Sequence, residues 1–272
     1  MWIVAHLRLR VAYIVILLMT GFDRRPLRLL HTSDVHLGAF SSGPRGREDA
    51  RCKSMEQGFS AVVNLAIKEN VDVLLIVGDF FDNGRVTDDL LDFAASEIER
   101  FPGETVILPG NHDPIGKYGP YDRFNLGSIA SRVHIFKDHE GSVFCFEKYN
   151  LEVWGRAVDD GCTISPLKDV PSLGKNNWCI AAAHGHFVLD DEEKERSLRI
   201  NASELELVGQ KFDYIALGHW EVQQAVSSNG VEAIYSGSPF PFSDDVLASV
   251  ILVDFEEGHL PRWNSHTLAN YL

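Results

Sequence analysis

Five short stretches of this sequence carry side chains that can ligate a cation. They are Ser33-Asp34-Val35-His36, Gly78-Asp79-Phe80-Phe81-Asp82, Pro109-Gly110-Asn111-His112-Asp113, His184-Gly185-His186 and Gly218-His219-Trp220-Glu221. Asp and Asn offer oxygen and His offers an imidazole nitrogen, a mixed set that suits Mn, Fe, Zn or Mg. A carboxylate such as Asp79 has two oxygens and can bridge two ions. Asp34 and His36 lie two apart, so in an extended segment both point the same way and reach one ion. Glycines 78, 110 and 218 each precede a candidate ligand, as expected where the backbone turns sharply beside a site. Each stretch alone is a weak signal, since a lone Asp-x-His pair is often incidental and Gly-Asn is an ordinary turn. Five together point to one site.

The elements that must position these residues are short apolar runs, each ending just before a cluster. Pro26 to Thr32 reads as a first buried strand, Val71 to Val77 as a second and Thr105 to Leu108 as a third. Between them, Glu48 to Asn70 has helical spacing at Phe59, Val62, Val63, Ala66 and Ile67. A second helix runs to Arg100, capped by Thr87, with Leu90, Leu91, Ala94 and Ile98 on one stripe. Strands joined by such crossovers make a parallel sheet. The second half is richer in strands: Val133 to Phe136, Val143 to Phe146, Leu151 to Trp154, Trp178 to Ala183 and Tyr214 to Leu217. Val222 to Val226, Ala233 to Tyr235, Ser249 to Phe255 and Leu260 to Leu272 follow. In α/β sheets, ligands bind in the crevice beyond the carboxyl ends of the strands, where all five clusters emerge. Asp159 to Asn177 reads as a surface loop and Asp190 to Arg196 as a solvated charge run. No repeat, low-complexity tract or linker divides the chain.

Composition narrows the function classes. Across 272 residues, 39 acidic side chains face 25 basic ones, for a net charge of -14. A broadly basic surface that coats nucleic acid is thereby excluded, but not an enzyme whose positive charge comes from bound metal. No basic stripe with interleaved aromatics suits single-stranded DNA. The nearest basic cluster, Arg45, Arg47, Arg51 and Lys53, reads as a solvated loop. Cys52, Cys145, Cys162 and Cys179 are scattered without a CxxC, which favours free thiols in a reducing, cytoplasmic setting. Residues 1–26 are an apolar extension in which Arg8 and Arg10 precede the run Val11 to Met19. Nine residues are too few to cross a bilayer, which takes about 20, so no stable membrane span is expected. No small-x-small cleavage site follows. The preferred reading is a dispensable extension with Met19 as the true start; an export or anchoring segment is its rival.

Taken together, Asp34-x-His36, Gly78-Asp79-x-x-Asp82, Gly110-Asn111-His112-Asp113, His184 and Gly218-His219 resemble the signature of the calcineurin-like metallophosphoesterases. The likeness spans roughly residues 28 to 240. Within that superfamily the wording is closest to the SbcD-like DNA-repair exonucleases. The phrases that carry this are His31-Thr32-Ser33-Asp34-Val35-His36-Leu37-Gly38, Asp213-Tyr214-Ile215-Ala216-Leu217-Gly218-His219 and Tyr235-Ser236-Gly237-Ser238-Pro239.

The resemblance implies an α/β fold of two facing mixed sheets flanked by helices, a four-layer sandwich, as one domain over residues 27–272. It also implies two divalent metal ions, Mn2+ foremost, with Mg2+, Fe or Zn2+ as the others. Asp34 and His36 would bind the first ion and Asp79 both, while Asn111, His184 and His219 would bind the second. His186 is the alternative to His184. His112 would protonate the leaving oxygen or steady the phosphate, Asp113 would orient it, and Asp82 would hold the ligands in place. The family usually has Gly-His-x-His, and here Glu221 stands at the second His. Either Glu221 serves as a ligand, favouring Mn or Mg, or the first ion is held weakly.

The implied reaction is phosphoester hydrolysis by a metal-activated water. The substrate would be DNA ends, or else a nucleotide-like small diester; a weakly active binding scaffold is the third reading. SbcD-like nucleases work with an ATPase partner and carry a DNA-capping region after the Gly-Ser-Pro segment. Here about 30 residues follow Pro239, so no separate capping domain is expected.

Overall fold

The computed structural model describes residues 24–39, 48–124, 127–158, 164–174, 177–189, 198–243 and 245–268. Residues 1–23, Arg45, Arg47 and the Asp190 to Arg196 run lie outside them, so the expectations on those stretches have no structural counterpart.

Strands β1 (Leu27–Thr32), β2 (Val73–Val77), β3 (Glu104–Leu108) and β4 (Val133–Ile135) pair in parallel, in that order. Antiparallel β13 (Ser249–Phe255) and β14 (Arg262–Thr267) extend this sheet beyond β1. The second sheet has the order β11 (Gln224–Ser228), β12 (Val231–Tyr235), β10 (Tyr214–Gly218), β7 (Trp178–His184), β6 (Leu151–Gly155) and β5 (Ser142–Phe146). It too is mixed, with β12, β10, β7 and β6 parallel and both edge strands antiparallel. A two-stranded parallel piece, β8 (His186–Val188) with β9 (Arg199–Asn201), accompanies the two large sheets.

Side-chain alternation explains the layers. On β2, Val73, Leu75 and Val77 face the second sheet, where they meet Ile180, Ala182 and Ala216. Leu74 and Ile76 face the other way, against Phe59, Val62 and Ala66 of α1 (Glu48–Lys68) and Leu91, Ala94 and Ile98 of α2 (Asp88–Arg100). A strand buried on both faces reads as a continuous apolar run, which is why Val-Leu-Leu-Ile-Val shows no alternation. Full burial of each such side chain is worth about 1.5–3 kcal/mol. Ala181, Ala183, Ile215 and Leu217 form the outer face of the second sheet, covered by Leu205 and Val208 of α4 (Ala202–Gly209). A short α3 (Pro120–Arg123) lies between β3 and β4.

Most expected elements are present, and Thr87 caps α2 by accepting a hydrogen bond from Leu90 N–H. The strand expected at Val222 to Val226 lies instead at Gln224–Ser228, because Glu221 O is engaged by Ser238 N–H and holds the chain beside the site. Of the Leu260 to Leu272 segment, Arg262–Thr267 is strand. Arg51 and Lys53 lie in α1 rather than in a loop, with Lys53 exposed. Cys145 and Cys179 are free thiols. No helix among the described residues is long and apolar enough to cross a membrane.

Candidate metal centre

Strands β1, β2, β3, β7 and β10 all end on one rim of the sandwich, and the apolar core gives way there to polar side chains. The backbone beyond β1 is not extended, contrary to expectation. Asp34 and His36 have φ of 53° and 49°, in the left-handed region, as do Asp79 at 51° and His219 at 112°. Asp34 N–H donates to Gly78 O at 3.1 Å and His36 N–H to Asp79 O at 2.9 Å, so the tails of β1 and β2 stay paired while both coil inward. Asp and His tolerate this region better than branched residues, yet such conformers cost on the order of 1 kcal/mol each.

Glycines make the crowding bearable. A Cβ on Gly78, whose φ is +81°, would lie 1.8 Å from His184 Nδ1. On Gly110 it would meet Asp79 Oδ1 at 2.1 Å, and on Gly218 the carbonyl of Val77 at 1.8 Å. Gly78 therefore answers both a turn and a close approach, whereas the other two answer close approach.

The side chains converge. Asp34 and Asp79 are each 2% exposed and His184 is 1% exposed. His184 Nε2 lies 3.2 Å from Asp79 Oδ2, 3.1 Å from Asn111 Oδ1 and 3.2 Å from His219 Nδ1. One ring N–H cannot serve three partners, so these atoms share a point that a cation would fill. On the other flank, His36 Nε2 faces Asp34 Oδ1 at 4.0 Å and Asp79 Oδ2 at 3.8 Å. Among the described residues, two groups of donor atoms each fall within 4.8 Å of one another: His36, Asp79 and His112, and Asp79, His184 and His219. Asp79 belongs to both. Buried carboxylates and imidazoles with oxygen and nitrogen donors aimed at common points fit hard or borderline divalent cations.

Electrostatics follow from burial and proximity. Burial opposes a charge on His184, yet the Asp79 and Asp34 carboxylates push its pKa up to about 9. Burial likewise opposes ionisation of Asp79, but His184 and His36 hold its carboxyl below the usual range. Burial raises Asp34. His219 is pushed down to about 3 by burial and by the adjacent His184 and His186.

His112 sits at the rim, half exposed. Its Nδ1–H donates to Asp82 O at 2.9 Å, which leaves Nε2 for another partner, and its N–H donates to Asp79 Oδ1 at 2.9 Å. Asp113 does not reach the His112 ring. Its carboxylate faces inward and accepts from Gly110 N–H at 2.7 Å, Phe81 N–H at 3.0 Å and Tyr121 Oη–H at 2.6 Å. Asp113 thus braces the loop that bears Asn111 and His112, and the ring is oriented from Asp82. The Asp82 carboxylate lies 3.3 Å from His36 Nδ1. His186 stands outside both groups, with its Nε2 2.7 Å from His219 Nε2 and its Nδ1 accepting from Trp220 Nε1–H at 3.1 Å. Of the two open alternatives, His184 is the one gathered with Asp79.

Glu221 also lies apart from the two groups, half-buried, with Phe242 N–H 3.2 Å from both carboxylate oxygens. Burial raises its pKa, while the His36 charge acts in the opposite sense. The Ser236-Gly237-Ser238 segment props the first loop: Ser238 Oγ–H donates to Asp34 O at 2.7 Å, and Ser33 Oγ lies 2.9 Å from Ser236 Oγ. Tyr121 and Phe242 escape sequence reasoning. Tyr121 stands in the four-residue helix α3 and Phe242 in a Phe/Pro run, and neither has a spacing tied to chemistry.

Residues 27–223 match the family model described as calcineurin-like phosphoesterase. The chain belongs to that family. Phosphoester hydrolysis supported by divalent metal is therefore its reaction class. Among curated relatives, it is 36% identical over 229 residues to the DNA double-strand break repair protein Mre11 of Saccharolobus solfataricus, covering 78% of this chain and 54% of that protein. It is 26% identical over 283 residues to the SbcD component of the nuclease SbcCD of Escherichia coli K12, covering 86% and 66%. An uncharacterized Bacillus subtilis metallophosphoesterase, YhaO, is 26% identical over 236 residues, covering 78% and 53%. The chain thus spans about half the length of the Mre11 and YhaO relatives. Among solved structures, a dimetal phosphatase from Danio rerio superposes with a TM-score of 0.56 at 11% identity, covering 89% of this chain and 96% of that one. That likeness bears on the fold, which is the expected pair of mixed sheets, each of six strands.

Proposed function

We propose that this phosphoesterase is a two-metal phosphodiesterase that acts on DNA ends, with Mn2+ as its working ion. The observation that carries the two-metal reading is the position of Asp79, common to both groups of donor atoms. In this reading Asp34, His36 and Asp79 hold the first ion, with Glu221 completing its shell. Asp79, Asn111, His184 and His219 hold the second. When bound, such ions lower the pKa of water and offset the charge that develops on a phosphate. The chain's own residues supply the rest. His112, with Nδ1–H tied to Asp82 O, presents Nε2 to the leaving oxygen and delivers a proton there. Asp113 and Tyr121 keep the loop beneath it rigid.

DNA as substrate is supported by the relatives named as a DNA double-strand break repair protein and as part of a nuclease. An ATPase partner, a cytoplasmic setting and a single catalytic domain over residues 27–272 belong to the same proposal. A second reading, a nucleotide-like small diester, is favoured by the net charge of -14, which gives little long-range attraction for a polyanion. End-labelled DNA and bis-p-nitrophenyl phosphate, each assayed with Mn2+, separate the two. Degradation of labelled ends supports the first; turnover of the small diester with intact DNA supports the second.

A further inference from the structure

We infer that Phe242 is a stacking platform for a nucleobase beside the scissile phosphate, so that the site selects phosphodiesters carrying a base on that flank. The inference rests on the phosphodiesterase reading and adds what grips the non-reacting part of the substrate.

Phe59, Phe80 and Phe81 are wholly buried, whereas Phe242 is 37% exposed at the mouth of the site. Its ring lies 5.0 Å from the His36 ring at 43°, and the His112 ring meets His36 at 4.7 Å. His36 is therefore flanked by Phe242 and His112, while its Nε2 faces Asp34 and Asp79. A phosphate held by this cluster is separated from the Phe242 ring, as from the His112 ring, by the His36 imidazole. That separation suits a nucleotide, whose base lies one sugar away from its own phosphate.

The platform is also fixed in advance. Phe242 N–H is held by the Glu221 carboxylate, and Phe240 N–H donates to Ser238 Oγ at 3.1 Å. A side chain placed before binding loses little freedom on contact. Every base has a π-face, so such a contact grips nucleotides without reading sequence. It also supplies affinity that an acidic surface cannot.

The test compares two esters with the same leaving group: thymidine 5′-(p-nitrophenyl phosphate) and methyl p-nitrophenyl phosphate. With Mn2+-loaded protein, the ratio of their kcat/KM values is measured for wild type, Phe242→Ala and Phe242→Tyr. The wild type should prefer the thymidine ester, Phe242→Ala should lose about tenfold of that preference, and Phe242→Tyr should keep it. A ratio unmoved by Phe242→Ala, or lost equally in Phe242→Tyr, overturns the platform. Calorimetric affinities of the same proteins for thymidine 5′-phosphate and inorganic phosphate give a parallel ratio without turnover. If neither ester is cleaved, the phosphodiesterase reading falls, and the binding ratio still decides the role of Phe242.

Discussion

Asp79 uses both of its carboxylate oxygens: Oδ1 accepts from His112 N–H, while Oδ2 faces His184 and His36. In the proposed function its neighbours divide into groups that would hold cations and a group that would move a proton, and substitutions should separate them. His112→Ala should retain bound metal and lower kcat by about 10²–10⁴-fold, because general-acid help of that size is removed while the other donors stay in place. Unchanged turnover would refute its role. Glu221→Ala should reduce occupancy by one ion and Glu221→His should restore it, as metal analysis of the purified variants would show. Equal occupancy in all three proteins would exclude Glu221 as a ligand. The residue types and their order are legible in the sequence, but their orientation is not. Asp34 and His36 converge through left-handed backbone rather than strand alternation, and the inward turn of Asp113 depends on Tyr121, which no spacing rule connects to it.

Strand ends rather than strands carry the site, so glycines at those ends should matter more than glycines elsewhere. Gly218→Ala places a Cβ 1.8 Å from the Val77 carbonyl, and should cost about 1–3 kcal/mol or more and disturb the metal site. Gly84→Ala, where nothing lies within 4 Å, should stay within about 0.5 kcal/mol. Denaturant melts of both variants check this contrast. On β1, His31 is buried between the sheets, its Nδ1 3.1 Å from Tyr214 Oη, and burial drives its pKa down to about 3 from 6.5. The unfolded chain therefore binds a proton that the folded one refuses. The stability that a neutral His31 permits is whole above pH 6.5 and drains away as pH falls toward about 3. A His31→Gln variant should show a shallower loss of stability across that window than the wild type. Equal slopes would mean that His31 is not responsible. The helices and buried strands are legible because their periodicity and the Thr87 cap are local. Helix α4 has a local signal as well, the Asn201–Glu204 capping box, but its eight residues are too few for a clear stripe.

The pairing of the two sheets is the least local feature. Strand β1 pairs with β13 across more than two hundred residues, Leu27 opposite Phe255, and doubly buried strands carry no mark of which sheet they join. Family resemblance supplies that arrangement where periodicity cannot. The acidity of the chain takes on meaning at the same level: some of its carboxylates form the cation-seeking cluster, and the rest weaken any general grip on a polyanion. At the centre of the proposed scheme, two divalent ions would share Asp79 and together support phosphodiester hydrolysis. Metal content and bis-p-nitrophenyl phosphate turnover, measured on the same Mn2+-saturated samples of wild type and Asp79→Asn, test it most directly. Two ions per wild-type chain, with loss of metal and of turnover together in Asp79→Asn, is the predicted result. Full activity with a single ion, or an Asp79→Asn protein that keeps both ions and its turnover, would contradict it.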